Sequence, residues 1–305
     1  FLVFGSAAVD HTLKFDYIDL RESAIAKHET LQPGGSAANV SVALARMGLN
    51  VGFSGVIGSD QEGRLVLEGL AREGVDLSNI RIDPSLQTLR TVILVDEKGR
   101  KRILVPIKAE TAVSLESSLD INWNKIESCN IVYVGEVFLE LAKLICGYAR
   151  SGGKTTVYRM HPAYAELGKK IFNILRDVDV LLMNEGAWEK FSESSNMDSA
   201  EDLTRLGPKL VVLTFGERGC EAFTASEKVK TPAFQVAAMD TTGAGDAFAA
   251  AIMHGIENRV NLPDMLRFAS ASAAVSTTKL GGFNSMPTVK EVNDFLESLG
   301  KQVSR

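Results

Sequence analysis

The sequence predicts an α/β fold: a three-layer, doubly wound and mainly parallel sheet with a small β-sheet set apart from it. Three observations predict it. Short apolar β-rich segments recur along the chain, helix-period stretches alternate with them, and two segments break that rhythm. The first set comprises "FLVFGSAAV" (1–9), "VGFSGVIG" (51–58), "NIVYVG" (130–135), "TTVYRM" (155–160), "VDVLLMN" (178–184) and "LVVLTFG" (210–216). Near-continuous apolarity is what a strand covered on both faces requires. The intervening helices are expected over 36–48, 61–74, 136–153 and 164–175, and Gly48, Gly74 and Gly152 suit their C-terminal caps. The exceptions are "HTLKFDYIDLRE" (11–22) and "TVILVDEKGRKRILVP" (91–106). The first alternates apolar and polar residues, and the second reads as a hairpin about residues 96–100. Together they suggest a small antiparallel sheet, either a lid or an ordinary edge hairpin.

Composition narrows the function classes. The chain has 305 residues, 45% apolar and 23% charged, enough for a sizeable core. A net charge of −5 gives no basic footprint for nucleic acid or anionic lipid. Cys129, Cys146 and Cys220 are widely spaced, as buried thiols of a reducing cytoplasm would be, and form no disulfide or zinc frame. No apolar run reaches the ~18 residues of a membrane span. The opening "FLVFGSAAVD" lacks a basic n-region and reads as a core strand, not a signal peptide.

Chemistry is expected at strand ends. "DTTGAGDAFAAA" (240–251) puts Gly243, Gly245 and Asp246 in the first turn of an apolar helix. Free N–H groups and the positive end of the dipole make such a turn an anion site. Glycines let a phosphate approach the backbone, whereas Asp246 would repel it. Asp246 therefore reads either as a residue complementing the dipole or as a base for a hydroxyl beside a bound phosphoryl group. "PGGSAANVSVALARMG" (33–48) pairs Gly34 and Gly35 with Asn39 at a second helix start, and Asn39 is either a ligand contact or a cap. "TFGERGC" (214–220) places Thr214, Gly216 and Gly219 after a buried strand, where ligands or a plain turn belong. "ARSGGKTTV" (149–157) only imitates a phosphate loop: Tyr148 stands at the required first glycine, and a helix precedes it where a strand should. No GxGxxG follows the first strand, which disfavours an NAD-dependent dehydrogenase.

These motifs, in this order and at these separations, resemble those of the ribokinase-like (PfkB) carbohydrate kinases over nearly all 305 residues. The resemblance implies an α/β domain over 1–10, 34–88 and 108–305, with a β lid over 11–33 and 89–107. It implies transfer of the ATP γ-phosphate to a hydroxyl of a sugar, with Mg²⁺ on the nucleotide and, in many members, K⁺ nearby. Asp246 matches the base, and Gly243, Ala244 and Gly245 match the anion hole. Asp10 matches the aspartate that holds substrate hydroxyls, and Gly34, Gly35, Asn39 and Glu136 match further substrate contacts. Asn184, Thr214, Gly216 and Gly219 match nucleotide positions, and Asp240, Thr242 and Ser285 match the cation site. The implied partner is a small molecule, and some members pair into homodimers through the lid.

The chain also departs from the family pattern. Ala187 stands at the usual glutamate of Asn-x-x-Glu, "KAE" (108–110) replaces a common "GAN", and Ser36 stands where ribokinases often carry lysine. "YRMHPAY" replaces a segment that is acidic or carries asparagine in many relatives. Arg159 or His161 is expected to face the substrate there: Arg159 would suit an anionic substrate group or pair with Glu136 or Glu166, and the other reading of His161 is a surface or structural residue before a turn. A nucleoside kinase is the alternative within the family, since its members share the serine. Against it, only Phe15 and Tyr17 offer aromatic rings near the lid. A non-catalytic sugar or nucleotide sensor would not need both glycines and Asp246.

Overall fold

A computed structural model describes residues 1–16, 25–97, 101–105 and 121–303. Its strands are β1 (Leu2–Phe4), β2 (Ala8–Lys14), β3 (His28–Gly34), β4 (Gly52–Gly58), β5 (Asp76–Asp83), β6 (Leu89–Val95), β7 (Lys101–Leu104), β8 (Ile131–Val134), β9 (Thr155–Arg159), β10 (Val180–Asn184), β11 (Leu210–Thr214), β12 (Cys220–Phe223) and β13 (Lys228–Thr231). Its α-helices are α1 (Ser36–Arg46), α2 (Gln61–Arg72), α3 (Trp123–Glu127), α4 (Leu139–Ser151), α5 (Pro162–Ala165), α6 (Phe172–Leu175), α7 (Glu185–Ser195), α8 (Ala244–Glu257), α9 (Leu262–Thr277) and α10 (Val289–Val303).

The described residues form a nine-stranded sheet, ordered β13-β12-β11-β10-β9-β8-β1-β4-β5, and a four-stranded sheet, ordered β3-β2-β6-β7. All pairs of the large sheet are parallel except β11–β12 and β12–β13. Successive side chains of a strand point to opposite faces, so each strand feeds two cores. Val3 joins one core, whereas Leu2 and Phe4 join the other. Val212 and Val211 divide in the same way. Burying one such side chain contributes about 1.5–3 kcal/mol. These two cores are the physical content of the expected three layers.

Three expectations need correction. "FLVFGSAAV" is not one strand: β1 ends at Phe4, and β2 starts at Ala8 in the other sheet. Its apolar run holds two short buried strands separated by a break at residues 5–7. The second sheet is mixed, not antiparallel, because its central strands β2 and β6 run parallel. The helix expected over 164–175 is broken into short pieces. Gly168 adopts φ +55°, and a Cβ there would come 2.5 Å from the Ser194 carbonyl oxygen. The hairpin of β6 and β7 is present, with Val92 opposite Leu104. Residues 98–100 of its turn, Tyr17 and the "KAE" segment lie outside the described residues.

Candidate active site

A cleft of about 980 Å³ runs between the two sheets. Glu136, Arg159, Asn184 and Thr214, at or just after the C-terminal ends of β8 to β11, line it. That is the end where a parallel sheet binds ligands. Asp10, Thr91 and Lys101 line it from the second sheet, and Gly35, Ser36 and Asn39 from the start of α1. A second cavity of about 360 Å³ adjoins it, lined by Gly216, Gly219, Ala244 and Ala274 among others. Thr214, Gly216 and Gly245 line both, so the first turn of α8 partitions two chambers.

Gly243 caps that turn in the left-handed region, φ 83°, which favours glycine. From Ala247 to Met253 the helix is buried, so it can be apolar all round. Asp246 is 6% exposed and lines the larger chamber, next in the chain to Gly245, which lines both. Its Oδ2 accepts from Asn39 Nδ2 at 2.8 Å, and its Oδ1 accepts from Ser36 Oγ at 2.9 Å and from Arg159 Nη1. A carboxylate has about four lone-pair sites. Three are taken, and the remaining site is on Oδ2. Arg159 thus pairs with Asp246; of the two glutamates expected as alternatives, Glu136 accepts from Ser6 and Glu166 pairs with Lys190.

Asp10 lies mid-strand in β2, 5% exposed, with Thr91 beside it on β6. Thr91 Oγ1 donates to its Oδ1 at 2.5 Å. A Cβ on Gly34 would fall on the Asp10 carboxylate, so that glycine makes room for the acid. Burial raises the Asp10 pKa to about 6, the bond from Thr91 works against this, and the carboxylates of Asp246 and Asp240 add to it. Glu136 follows β8, and its Oε2 accepts from Ser6 Oγ at 3.0 Å. An acid that is costly to ionise therefore faces a second acid across the cleft. Such an arrangement suits a polyhydroxylated ligand that can donate hydrogen bonds to both.

A family model described as "pfkB family carbohydrate kinase" matches residues 1–289. The chain belongs to this family. It is a kinase, an ATP-dependent phosphotransferase with an alcohol acceptor. It is 28% identical to "Probable fructokinase-3" of Arabidopsis thaliana over 98% of this chain and 92% of that protein. Among solved structures, a ribokinase from Thermotoga maritima superposes with a TM-score of 0.81 at 28% identity, covering 97% of this chain and 98% of that one. An Arabidopsis thaliana ribokinase complexed with ribose and ATP gives a TM-score of 0.75 at 23% identity, covering 97% of each chain.

The other expected positions of this pfkB kinase fall into two groups. On the nucleotide side, Asn184 caps α7, its Oδ1 accepting from the Ala187 N–H at 2.8 Å. The Ala187 side chain is fully buried, so a glutamate there would bury a charge in the core. Glu185 lines the cleft instead and pairs with Arg218. Among the described residues no cluster of three His, Cys, Asp or Glu side chains could hold a metal.

In the cation region, Asp240 is fully buried; its Oδ1 accepts from the Thr242 N–H at 2.8 Å and its Oδ2 from the Gly281 N–H at 2.9 Å. Ser285 Oγ donates to the Gly282 carbonyl at 2.9 Å. Thr242 Oγ1 is buried without a hydrogen-bond partner, an orphan oxygen that fits a monovalent cation. "ARSGGKTTV" joins α4 to the start of β9, the opposite end of that strand from Arg159.

Sequence reasoning missed Lys101, Phe138 and Tyr164, which also line the cleft. Desolvation lowers the Lys101 pKa, and the carboxylates of Asp240, Asp246 and Asp10 work against that. The alternation of the hairpin could have marked Lys101, but only the register shows which face it takes. His161 caps α5, its Nδ1 accepting from the Ala163 N–H at 3.2 Å, and it lines the cleft as well. Phe15 is buried and is not part of the cleft wall.

Proposed function

We propose that this kinase phosphorylates a sugar hydroxyl, with Asp246 as the base. The observation that carries the proposal is the open lone-pair site on Asp246 Oδ2, beside the amides of residues 243–245 and across the cleft from Asp10. The acceptor seats two hydroxyls on Asp10, with Asn39 and Glu136 supplying further contacts. A third hydroxyl oxygen attacks the γ-phosphorus of ATP. The new O–P bond forms as the bond to the β-phosphate oxygen breaks, and ADP leaves with that electron pair. The hydroxyl proton passes to Asp246 Oδ2 late in a loose transition state, so a weak base suffices. Thr214, Gly216 and Gly219 support placing the nucleotide in the second chamber, with Mg²⁺ on its phosphates on the Glu185 side. When bound, Mg²⁺ neutralises phosphate charge. K⁺ would be held by Asp240, Thr242 and Ser285 and would steady the turn that follows. Asp246→Asn is expected to lower kcat by about 10²-fold or more with the KM for ATP little changed. A steady-state assay with fructose and ribose that returned near-normal kcat would remove the base.

One observation favours a narrower reading, in which the acceptor is anionic. Lys101 lines the cleft, and no carboxylate among the described residues bonds to it. On this reading Lys101→Ala lowers kcat/KM for a sugar acid or sugar phosphate by about tenfold and leaves a neutral sugar unaffected. The exposed side chains of Leu31 and Leu104 support a homodimer through the second sheet, which sedimentation equilibrium would measure. Three free, buried cysteines support a reducing cytoplasmic compartment.

A further inference from the structure

Asp246 poses an electrostatic problem that the sequence already raised: a carboxylate next to an anion hole repels the phosphate bound there. Arg159 stands between the two. Its Nη1 donates to both Asp246 Oδ1 and Ser36 Oγ, the latter at 2.8 Å. Its other end meets the anion hole itself, because a Cβ on Gly245 would lie 2.7 Å from Nη2. Nη2 bonds to no carboxylate or carbonyl among the described residues, and Arg159 lines the cleft. The guanidinium therefore touches the base with one nitrogen and points the other towards the space over the amides of residues 243–245.

Two small residues make this position possible. A Cβ at 245 would lie 2.7 Å from Nη2, so Arg159 would have to shift, and Ser36 is short enough to set its hydroxyl 2.8 Å from Nη1. Position 36 is also where ribokinases often carry lysine. In this chain the cation comes from the end of β9 and meets the same Asp246 oxygen as Ser36. A purely structural ion pair would have partners at both ends, and apolar residues could replace it at little cost. This pair is closed at the base, has the buried Tyr133 hydroxyl beside the guanidinium, and among the described residues meets no second carboxylate or carbonyl on the side of the phosphoryl site.

We propose that Arg159 is a catalytic residue, whose Nη2 stabilises the equatorial oxygens of the phosphoryl group in transit while Nη1 screens that group from Asp246. The proposal rests on Asp246 as the base. Arg159 exchanges no proton and no electron pair. The phosphoryl moves from the β-phosphate oxygen to the acceptor oxygen, and the hydroxyl proton goes to Asp246. Charge in such a transition state is spread over three oxygens, so a fixed guanidinium is worth more there than in the ground state.

The test is a set of variants assayed for kcat and for both KM values with ATP and the best sugar acceptor. Arg159→Ala is expected to lower kcat by roughly 10²–10³-fold with each KM within about threefold. Millimolar guanidinium chloride should recover about tenfold of that loss, and the double variant Ser36→Lys/Arg159→Ala should recover a similar share by supplying the cation from position 36. Neither rescue is expected of a residue that merely holds the fold. Arg159→Lys, which keeps the charge, covers the case in which the alanine variant does not fold, and it should retain more than a tenth of the kcat. The proposal is overturned if Arg159→Ala keeps kcat within threefold, if its loss lies wholly in the acceptor KM, or if neither guanidinium nor lysine at 36 restores turnover. Asp246→Asn, run alongside, separates the two claims. An active Asp246→Asn removes the base itself, whereas an inactive one beside an active Arg159→Ala removes only the role of the arginine.

Discussion

The loop at Asp240 and the helix turn at Asp246 each bury a carboxylate, but they satisfy it differently. Asp240 is held by backbone N–H groups, one from Thr242 and one from Gly281. Those donors cannot swing away without moving the chain, so the acid ties two loops together. Asp246 is held by the side chains of Asn39, Ser36 and Arg159, which come from two separate elements. Side-chain donors can be exchanged for those of a ligand at little cost to the backbone. With Asp246 as the proposed base, the difference is that burial alone does not distinguish the two acids, whereas the kind of donor around each does.

The comparison can be broken most forcefully by paired substitutions. Asp246→Asn should cost about 10²-fold or more in kcat and little stability, because its neighbours can re-form around an amide. Asp240→Asn should do the reverse: the amide would turn an NH₂ towards a backbone donor, destabilising the fold by about 1–3 kcal/mol in chemical denaturation. A larger kcat loss at 240 than at 246 would invert the assignment.

Next in size is a pH effect at Asp10. Its carboxyl ionises near pH 3.8 when unfolded and near 6 in the fold. Between those values the native state holds a proton that the unfolded chain has lost. Stability therefore falls as pH rises from about 4 through about 6, by ~1–3 kcal/mol in total. Asp10→Asn should be more stable than the parent above pH 6, and the gap should close below pH 4. In the parent, kcat/KM for the acceptor should rise through about pH 6 as the carboxylate forms, and Asp10→Asn should lose that limb. An unchanged limb in the variant would assign it to another group.

The smallest effect sharpens the Asp240 side. Replacing a large organic cation by K⁺ at constant ionic strength should raise kcat a few-fold. Equal rates would leave Asp240 as a loop tie alone.

Much of this was legible in the sequence, for particular reasons. Gly243, Gly245 and Asp246 could be placed because a glycine-rich helix start is a local event, readable from residues that are neighbours in the chain. Asp10 was legible as an acid after a buried segment, although that segment proved to be two strands in two sheets. Arg159 was visible as a strand-end cation, but its partner was not. Ser36 and Asp246 are far from it in sequence, and only the sheet order brings β9 over the start of α1. Lys101, Phe138 and Tyr164 were missed because nothing local shows which face of an element looks into the cleft. The antiparallel edge strands β12 and β13 also escaped notice, being short and half-polar.

The raised Asp10 acidity has a practical consequence for finding the substrate. A ligand that donates hydrogen bonds to Asp10 favours its ionised form, so its full binding energy appears only above about pH 6, and below that part of it is spent on removing the proton. Melting-temperature screens run in parallel at pH 5 and pH 8 would therefore sort compounds by location as well as by strength. Those resting on β2 should protect the protein by different amounts in the two buffers. Compounds lodged in the chamber beside Gly219 should protect it equally in both.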